Sequence, residues 1–371
     1  MPDSRPKRRP RRRIARAILV LLLLIGLEFI SLSDAAGQWK LPSNGGVPRC
    51  RNDIGISPGS FGDVPDEHML RDLGEIQRVG ATRIRLDIDW SGVEPQRDKY
   101  DWKRTDLIVK AIAEARLNPL VMLGYAPKWA QVPGVATDSH GPPANPEEFA
   151  QFARAVVQRY GSIVHTWEIW NEPNLAGFWL PEPDAAAYSN LVRVTSAAIK
   201  QVQPNATVIA GALSSGADSN YGEVDPLTFV ADMYKAGARG TFDALSVHPY
   251  TFPSLPTDPD PNGTNTFRKI PQLHRIMEAN GDRKDVWITE FGAPTGTNRS
   301  AVTPEGQVDT LAIGIAAARS LGYVPAIFVY SIRDAGTNPD DLYQNFGLMS
   351  KSYVPKPAYR ELKILTALTE C

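Results

Sequence analysis

Residues 164–174 read VHTWEIWNEPN: a short apolar run that stops abruptly at an amide and a carboxylate, Asn171 and Glu172, followed by Pro173. The run is the length of a strand, and polar residues at its end sit where a buried strand emerges from a sheet. The same form recurs along the chain. Strand candidates lie at 52–56 (NDIGI), 82–88 (TRIRLDI), 119–124 (PLVMLG), 164–170 (VHTWEIW), 207–212 (TVIAGA), 242–248 (FDALSVH), 285–291 (DVWITEF) and 326–332 (AIFVYSI). Between them run amphipathic stretches such as EEFAQFARAVVQRY and DAAAYSNLVRVTSAAIKQV, and PKPAYRELKILTAL closes the chain as the eighth helical pattern. Eight apolar runs alternating with eight helices predict a single (β/α)8 TIM barrel of the α/β class over residues 45–371. A doubly wound open sheet is the alternative, but the glycine-rich phosphate turn that would support it is missing.

The 371 residues carry 40 basic and 41 acidic side chains, and this near-neutral total hides an uneven distribution. Eight of the basic residues and three of the acidic ones lie in residues 1–35, so the remainder carries a net charge of -6. A mildly acidic body gives no electrostatic footing for a nucleic-acid partner. The N-terminal basic run leads into IARAILVLLLLIGLEFISLSDAAG, a charged region followed by a Leu-rich stretch and small residues. Residues 1–40 are therefore expected to be an export segment, either a signal peptide cleaved near Ala35 or a retained membrane anchor with its basic end inside. Both readings place the body outside the cytoplasm, with membrane contact only through this segment if it is uncleaved.

The two cysteines, Cys50 and Cys371, bracket the body. An exported protein keeps disulfides, and a barrel brings its first strand beside its last helix. A Cys50–Cys371 bridge is the expectation, with two unpaired thiols as the alternative.

Active sites of such barrels are built at the C-terminal ends of the strands, and the chemistry-bearing residues fall there. The fourth run ends in Asn171 and Glu172, the seventh in Glu290, and the sixth in His248 and Tyr250; the second contains Arg85 and leads to Trp90. Two carboxylates converging on one hollow have the equipment for glycosidic cleavage, one protonating the leaving oxygen and the other attacking carbon or activating water. Taken singly, these residues have plainer readings: Arg85 as an ion-pair partner of Asp87 or Asp89, His248 and Tyr250 as satisfied core groups, and the tryptophans as core filling. Trp179, in the loop NLAGFWLPEPD, and Trp129, in APKWA, are the candidates for flat platforms under a sugar ring. Clusters of His, Cys and Asp at metal-ligand spacing, and cofactor motifs, are not found, so the expectation is no metal and no cofactor.

WNEP at Trp170–Pro173 and WITEFG at Trp287–Gly292 resemble the clan A retaining glycoside hydrolases. The likeness extends to RIRLDIDWSGVEP, YDW, HPY and FGLMSKSYVPKPAY, covers about residues 52–360, and is nearest to families 39 and 5, which act on β-linked sugars. It implies Glu172 as general acid/base, Glu290 as nucleophile and Asn171 as a ligand of the sugar 2-hydroxyl. Arg85, Tyr250 and His248 would lie beside the nucleophile. This chain has Gly124 and Tyr125 where many clan members have a histidine, and FVYSIRD where they have a strand-eight tryptophan; Tyr330 is expected in that platform's place, with Arg333 and Asp334 lining the rim. The implied activity is retaining cleavage of a polysaccharide or oligosaccharide. A catalytically silent carbohydrate-binding barrel and a transglycosylase are the competing readings.

Overall fold

A computed structural model describes residues 53–132, 140–216 and 222–368. Residues 1–40, Cys50 and Cys371 lie outside the described residues, and so do the export segment and the disulfide expected there. None of the described helices is long and apolar enough to cross a membrane.

Eight parallel strands close into a barrel in sequence order: β1 Asp53–Ser57, β2 Arg83–Asp89, β3 Asn118–Gly124, β4 Thr166–Ile169, β5 Thr207–Leu213, β6 Ala244–Val247, β7 Asp285–Phe291 and β8 Ala326–Tyr330. β8 pairs back onto β1 over five residues, from Asp53 opposite Ala326 to Ser57 opposite Tyr330. Eight longer helices follow the strands: α1 Asp66–Arg78, α2 Lys103–Glu114, α3 Pro146–Tyr160, α4 Ala185–Val202, α5 Pro226–Lys235, α6 Ile270–Ala279, α7 Pro304–Ser320 and α8 Pro357–Ala367. Sequence and structure agree on every strand, with ends differing by a few residues. β4 and β8 stop short of the predicted 170 and 332; at the end of β4, Trp170 turns to φ +68°.

A parallel sheet covered by helices is buried on both faces, which is why its strands read as continuous apolar runs. The strands' inner face carries Leu120, Ile209, Ala244, Trp287, Ala326 and Phe328. Gly55 on β1 leaves room for this packing, since a Cβ there would sit 2.5 Å from the Phe328 ring. Helix starts are written into the sequence by proline at the first helical position and a side-chain cap before it. Asn145 caps α3, Asp225 caps α5 and Thr303 caps α7. Two strands lose register near their C-terminal ends, β5 against β6 between Ala210 and Leu213, and β7 against β8 between Ile288 and Phe291. Both irregularities adjoin the cluster of polar residues described next.

Candidate active site

β4 delivers its last residues through a sharp turn. Trp170 and Glu172 adopt φ of +68° and +47°, the left-handed region that costs a bulky L-residue about 1 kcal/mol or more. The turn is pinned by main-chain bonds, Trp170 N–H to the Leu123 carbonyl and Glu172 N–H to the Ala212 carbonyl. Fully buried Asn174 ties it to β5, donating to the Ser214 and Val224 carbonyls and accepting from the Ser214 N–H. Ala212 is itself at φ +50°, beside Gly211 at φ +124° in the β5 irregularity. The misfit of β5 thus supplies the carbonyl that holds the Glu172 backbone.

Arg85 projects from β2 into the centre of the barrel, 3% exposed. Its fork donates from Nε to Glu168 at 2.7 Å, from Nη1 to Glu290 at 2.6 Å and from Nη2 to the Asn171 side-chain oxygen at 2.8 Å. The ion pair with Asp87 or Asp89 read from sequence is only a 4.0 Å approach to Asp87; the strong partners are the glutamates. Glu168 has no exposure and also accepts from Ser246 Oγ at 2.6 Å. This buried carboxylate was missed from sequence because it sits inside an apolar run and its partner is 83 residues away. Its signal was the charge itself: a carboxylate in the middle of a strand buried on both faces requires a cation.

Glu290, near the end of β7, accepts from Arg85 on one oxygen and from the Tyr250 hydroxyl on the other at 2.7 Å. Burial alone would raise its carboxyl, but the His248 and Arg85 charges and the two hydrogen bonds outweigh that and hold it below the ordinary glutamate range. Burial pushes the Tyr250 phenol well above its usual value, and the neighbouring Glu290 charge adds to this, so the hydroxyl stays a donor. His248 has no exposure; its Nε2 lies 3.2 Å from Thr289 Oγ1 and its Nδ1 2.9 Å from Glu172 Oε1. Burial opposes its protonation, yet the two glutamates prevail and its pKa is raised.

The same Nδ1 is 3.7 Å from Glu290 Oε2. The two carboxylate oxygens therefore lie no more than about 6.6 Å apart, the sum of the 2.9 Å and 3.7 Å contacts that share that nitrogen. Retaining glycosidases hold their carboxyl groups about 5–5.5 Å apart and inverting ones about 6.5–9.5 Å. The bound takes in the whole retaining range and only the lower edge of the inverting one. Both side chains keep a route to solvent, 12% exposed for Glu172 and 16% for Glu290.

The structure brings Arg85, Asn171, Glu172, His248, Tyr250 and Glu290 into one cluster. Tyr330 at the end of β8 joins its edge, its phenol raised by burial and by the charges of Glu290, Asp87 and Glu172, with its ring 5.3 Å from Phe346. Tyr125, at the clan's histidine position, faces the charges of Asp87 and Glu172 while its ring meets Trp170 and His140. Two aromatic expectations require correction. Trp179 is 4% exposed and wedged edge-on against Trp170 and Tyr188, so it is core and not a platform. Trp129 donates its indole N–H to the Glu94 carbonyl, packs on Trp90 and has the Arg97 guanidinium over its ring at 4.4 Å; none of these contacts reaches the glutamates. Arg333 and Asp334 do not line the rim either. Arg333 grips Asp72 of α1 with two hydrogen bonds, and Asp334 pairs with Lys356.

A cavity of about 800 Å³ lined by Pro142, Trp179, Leu180 and Glu182 has neither Glu172 nor Glu290 in its wall. A smaller one of about 350 Å³ begins at Tyr250 and runs along Ser215, Thr251, Asp260 and Asn265. Volume and chemistry disagree, and the converging charges are the better guide because they are what a reaction uses.

The family described as glycosyl hydrolases family 39 matches residues 78–371. A curated β-xylosidase of Geobacillus stearothermophilus is 27% identical over 299 residues, covering 72% of this chain and 56% of its own. Among solved structures, a family 39 glycoside hydrolase from Bacteroides cellulosilyticus WH2 superposes with a TM-score of 0.69 at 28% identity, over 87% of this chain and 65% of that one. A β-xylosidase from Caulobacter crescentus CB15 gives 0.66 at 21% identity, over 85% and 68%, a likeness of fold. The chain spans about half the length of the curated relative it matches.

Proposed function

The chain belongs to glycosyl hydrolases family 39, and from that premise we propose that it is a retaining β-glycosidase that hydrolyses O-glycosyl bonds, with Glu290 as nucleophile and Glu172 as acid/base. The observation that carries this reading is the meeting of the two carboxylates at one histidine nitrogen, 2.9 Å and 3.7 Å away. In the first step Glu290 attacks the anomeric carbon while Glu172 gives its proton to the departing oxygen, leaving a glycosyl ester on Glu290. Glu172, now ionised, takes a proton from water, whose oxygen displaces the ester and regenerates Glu290. Arg85 and Tyr250 fit the nucleophile's needs: they keep it ionised before attack and retain its carboxyl in place as its charge is lost. Asn171, oriented through its oxygen by Arg85, has its amide N–H₂ left for the sugar 2-hydroxyl, a contact that strengthens as the ring flattens.

β-Xylosides are the first substrates to try, because relatives bear that activity in their names. The basic run and apolar stretch of residues 1–40 support export, so the proposed substrate is a polysaccharide or glycan outside the cytoplasm, acted on by a catalytic domain of residues 45–371. The test is kinetic. E172Q is expected to lose about 10²- to 10⁴-fold in kcat on substrates with poor leaving groups, and much less on dinitrophenyl glycosides, which leave without protonation. E290Q should lose turnover on both. Wild-type rates for either variant on an oligosaccharide would refute the assignment.

A further inference from the structure

Every other acidic group in the cluster has a partner. Glu168 is held by Arg85 and Ser246, Glu290 by Arg85 and Tyr250, and Glu172 by His248. Asp87 is the exception. It lies on β2 two residues beyond Arg85, so its side chain enters the barrel on the same face, and its closest charged contact is Arg85 Nη1 at 4.0 Å. Among the described residues it has no hydrogen-bond partner, and its side chain is 26% exposed against 16% for Glu290, 12% for Glu172 and none for Glu168. It is thus the most open carboxyl of the group and, among the described residues, the one that accepts no hydrogen bond. Burial raises its pKa to about 6; Arg85 opposes this, while Glu290, Glu168 and Asp89 push it further up. A third carboxyl beside the proposed nucleophile works against the ionised state of Glu290, the opposite of what Arg85 and Tyr250 do there.

We infer that Asp87 is the glycone-reading residue of this site: its carboxyl accepts hydrogen bonds from ring hydroxyls of a neutral sugar and disfavours a sugar that carries its own carboxylate. Among the described residues, the two cations that touch the cluster leave no counter-charge for an anionic glycone. Arg85 is committed to Glu168, Glu290 and Asn171, and both ring nitrogens of His248 are engaged by Glu172 and Thr289. A uronate in this pocket would meet Asp87 and Glu290 without a free partner, whereas a hydroxyl donor satisfies the open acceptor. A buried polar group that must be matched by a substrate hydroxyl is a strong discriminator, because an analogue lacking the hydroxyl leaves it unpaired. The inference rests on the glycosidase reading and deepens it by naming the class of sugar.

The experiment uses the full chain, the neutral 4-nitrophenyl β-xyloside, β-glucoside and β-mannoside, the 3-deoxy and 4-deoxy analogues of whichever is cleaved best, and the β-glucuronide. D87A should lower kcat/KM on the neutral parent by about 10- to 100-fold, as expected for a hydrogen bond to a charged group. One deoxy analogue should cost the wild type a similar factor and cost D87A almost nothing further, which a merely structural residue would not produce. D87N, isosteric and uncharged, should narrow the gap between the neutral glycoside and the glucuronide. Thermal unfolding of both variants near the wild-type temperature checks that the fold is kept. Wild-type kinetics in D87A, or the same loss on the parent and on each deoxy analogue, would overturn the role of Asp87 alone. A wild-type protein that cleaves the glucuronide better than every neutral glycoside would overturn this inference while leaving the glycosidase reading in place; if it cleaves neither the neutral glycosides nor the glucuronide and is not labelled by a 2-deoxy-2-fluoro glycoside, the glycosidase reading falls, and this inference falls with it.

Discussion

Replacing Tyr250 by Phe removes one oxygen from the cluster and little else. The hydroxyl donates to Glu290 Oε2 at 2.7 Å, while the ring packs edge-on against Phe252 at 5.9 Å and Phe346 at 5.7 Å. Phenylalanine keeps those ring contacts, so the protein should still fold, and what it loses is the hydroxyl's bond to a charged partner. Glu290 still has Arg85 on its other oxygen, but the burial that works against its charge is now less well opposed. A hydrogen bond to a charged group contributes about 1.5–3 kcal/mol, which corresponds to about one to two pH units. The proposed nucleophile works as a carboxylate, so on that reading losing a donor raises the pH at which it becomes active. The acid limb of the kcat/KM profile, which reports the free enzyme, should move upward by that amount. Stability follows with the same sign. A carboxyl depressed in the folded state stabilises the protein above its unfolded pKa, and that contribution disappears as pH falls through the folded pKa. Y250F forfeits part of it, so the difference in Tm between wild type and variant should be largest near neutrality and close in acid. The assay is kcat/KM on an aryl β-xyloside across the acid and neutral range, with Tm in the same buffers. An acid limb that stays in place, with a pH-independent difference in Tm, would show that the hydroxyl does not tune Glu290.

Two further substitutions probe the frame around the site. R85M strips the cation from fully buried Glu168 and should destabilise the protein by about 3–5 kcal/mol, whereas R85M/E168L, which removes both charges, should recover much of that loss in a denaturant titration; a single variant as stable as wild type would mean that the Arg85–Glu168 pair does not hold the barrel together. G211A places a methyl group 2.4 Å from the Ser246 carbonyl at a backbone φ of +124°, and should cost about 1–3 kcal/mol in unfolding free energy. Because the adjacent Ala212 carbonyl holds the Glu172 amide, kcat should fall alongside stability, and a stability loss with unchanged kcat would separate the two.

The barrel was legible because its physics repeats. Each strand is covered on both faces, so each announces itself as an apolar run, and each run ends where the sheet meets solvent. Asn171, Glu172 and Glu290 were legible for the same reason, being polar residues at those ends. Glu168 obeys the opposite logic: it is tolerated inside a run only because Arg85, on another strand, reaches it. A pairing across 83 residues leaves no local trace of the partner, only the charge itself inside the run. The aromatic platforms failed for a related reason. A tryptophan in a loop flanked by polar residues reads as exposed, but burial is decided by which rings close on it, and for Trp179 those are Trp170 and Tyr188.

Backbone irregularity and charge cluster at the same end of the barrel, and the two are connected. Trp170, Glu172 and Ala212 all adopt positive φ within the β4–β5 rim, and the strain survives because the bonds of Asn174 and the Ala212 carbonyl leave the chain no relaxed alternative. A regular β5 would carry its carbonyls out of step with the Glu172 amide, and a regular end to β4 would continue the pleat past residue 169. The Glu172 carboxylate would then no longer meet His248 Nδ1 at 2.9 Å, and the short bridge from Glu172 to Glu290 would be broken. The fold therefore fixes the separation of the two carboxylates in advance of any ligand, so that under the proposed function a substrate need not spend interaction energy on assembling them.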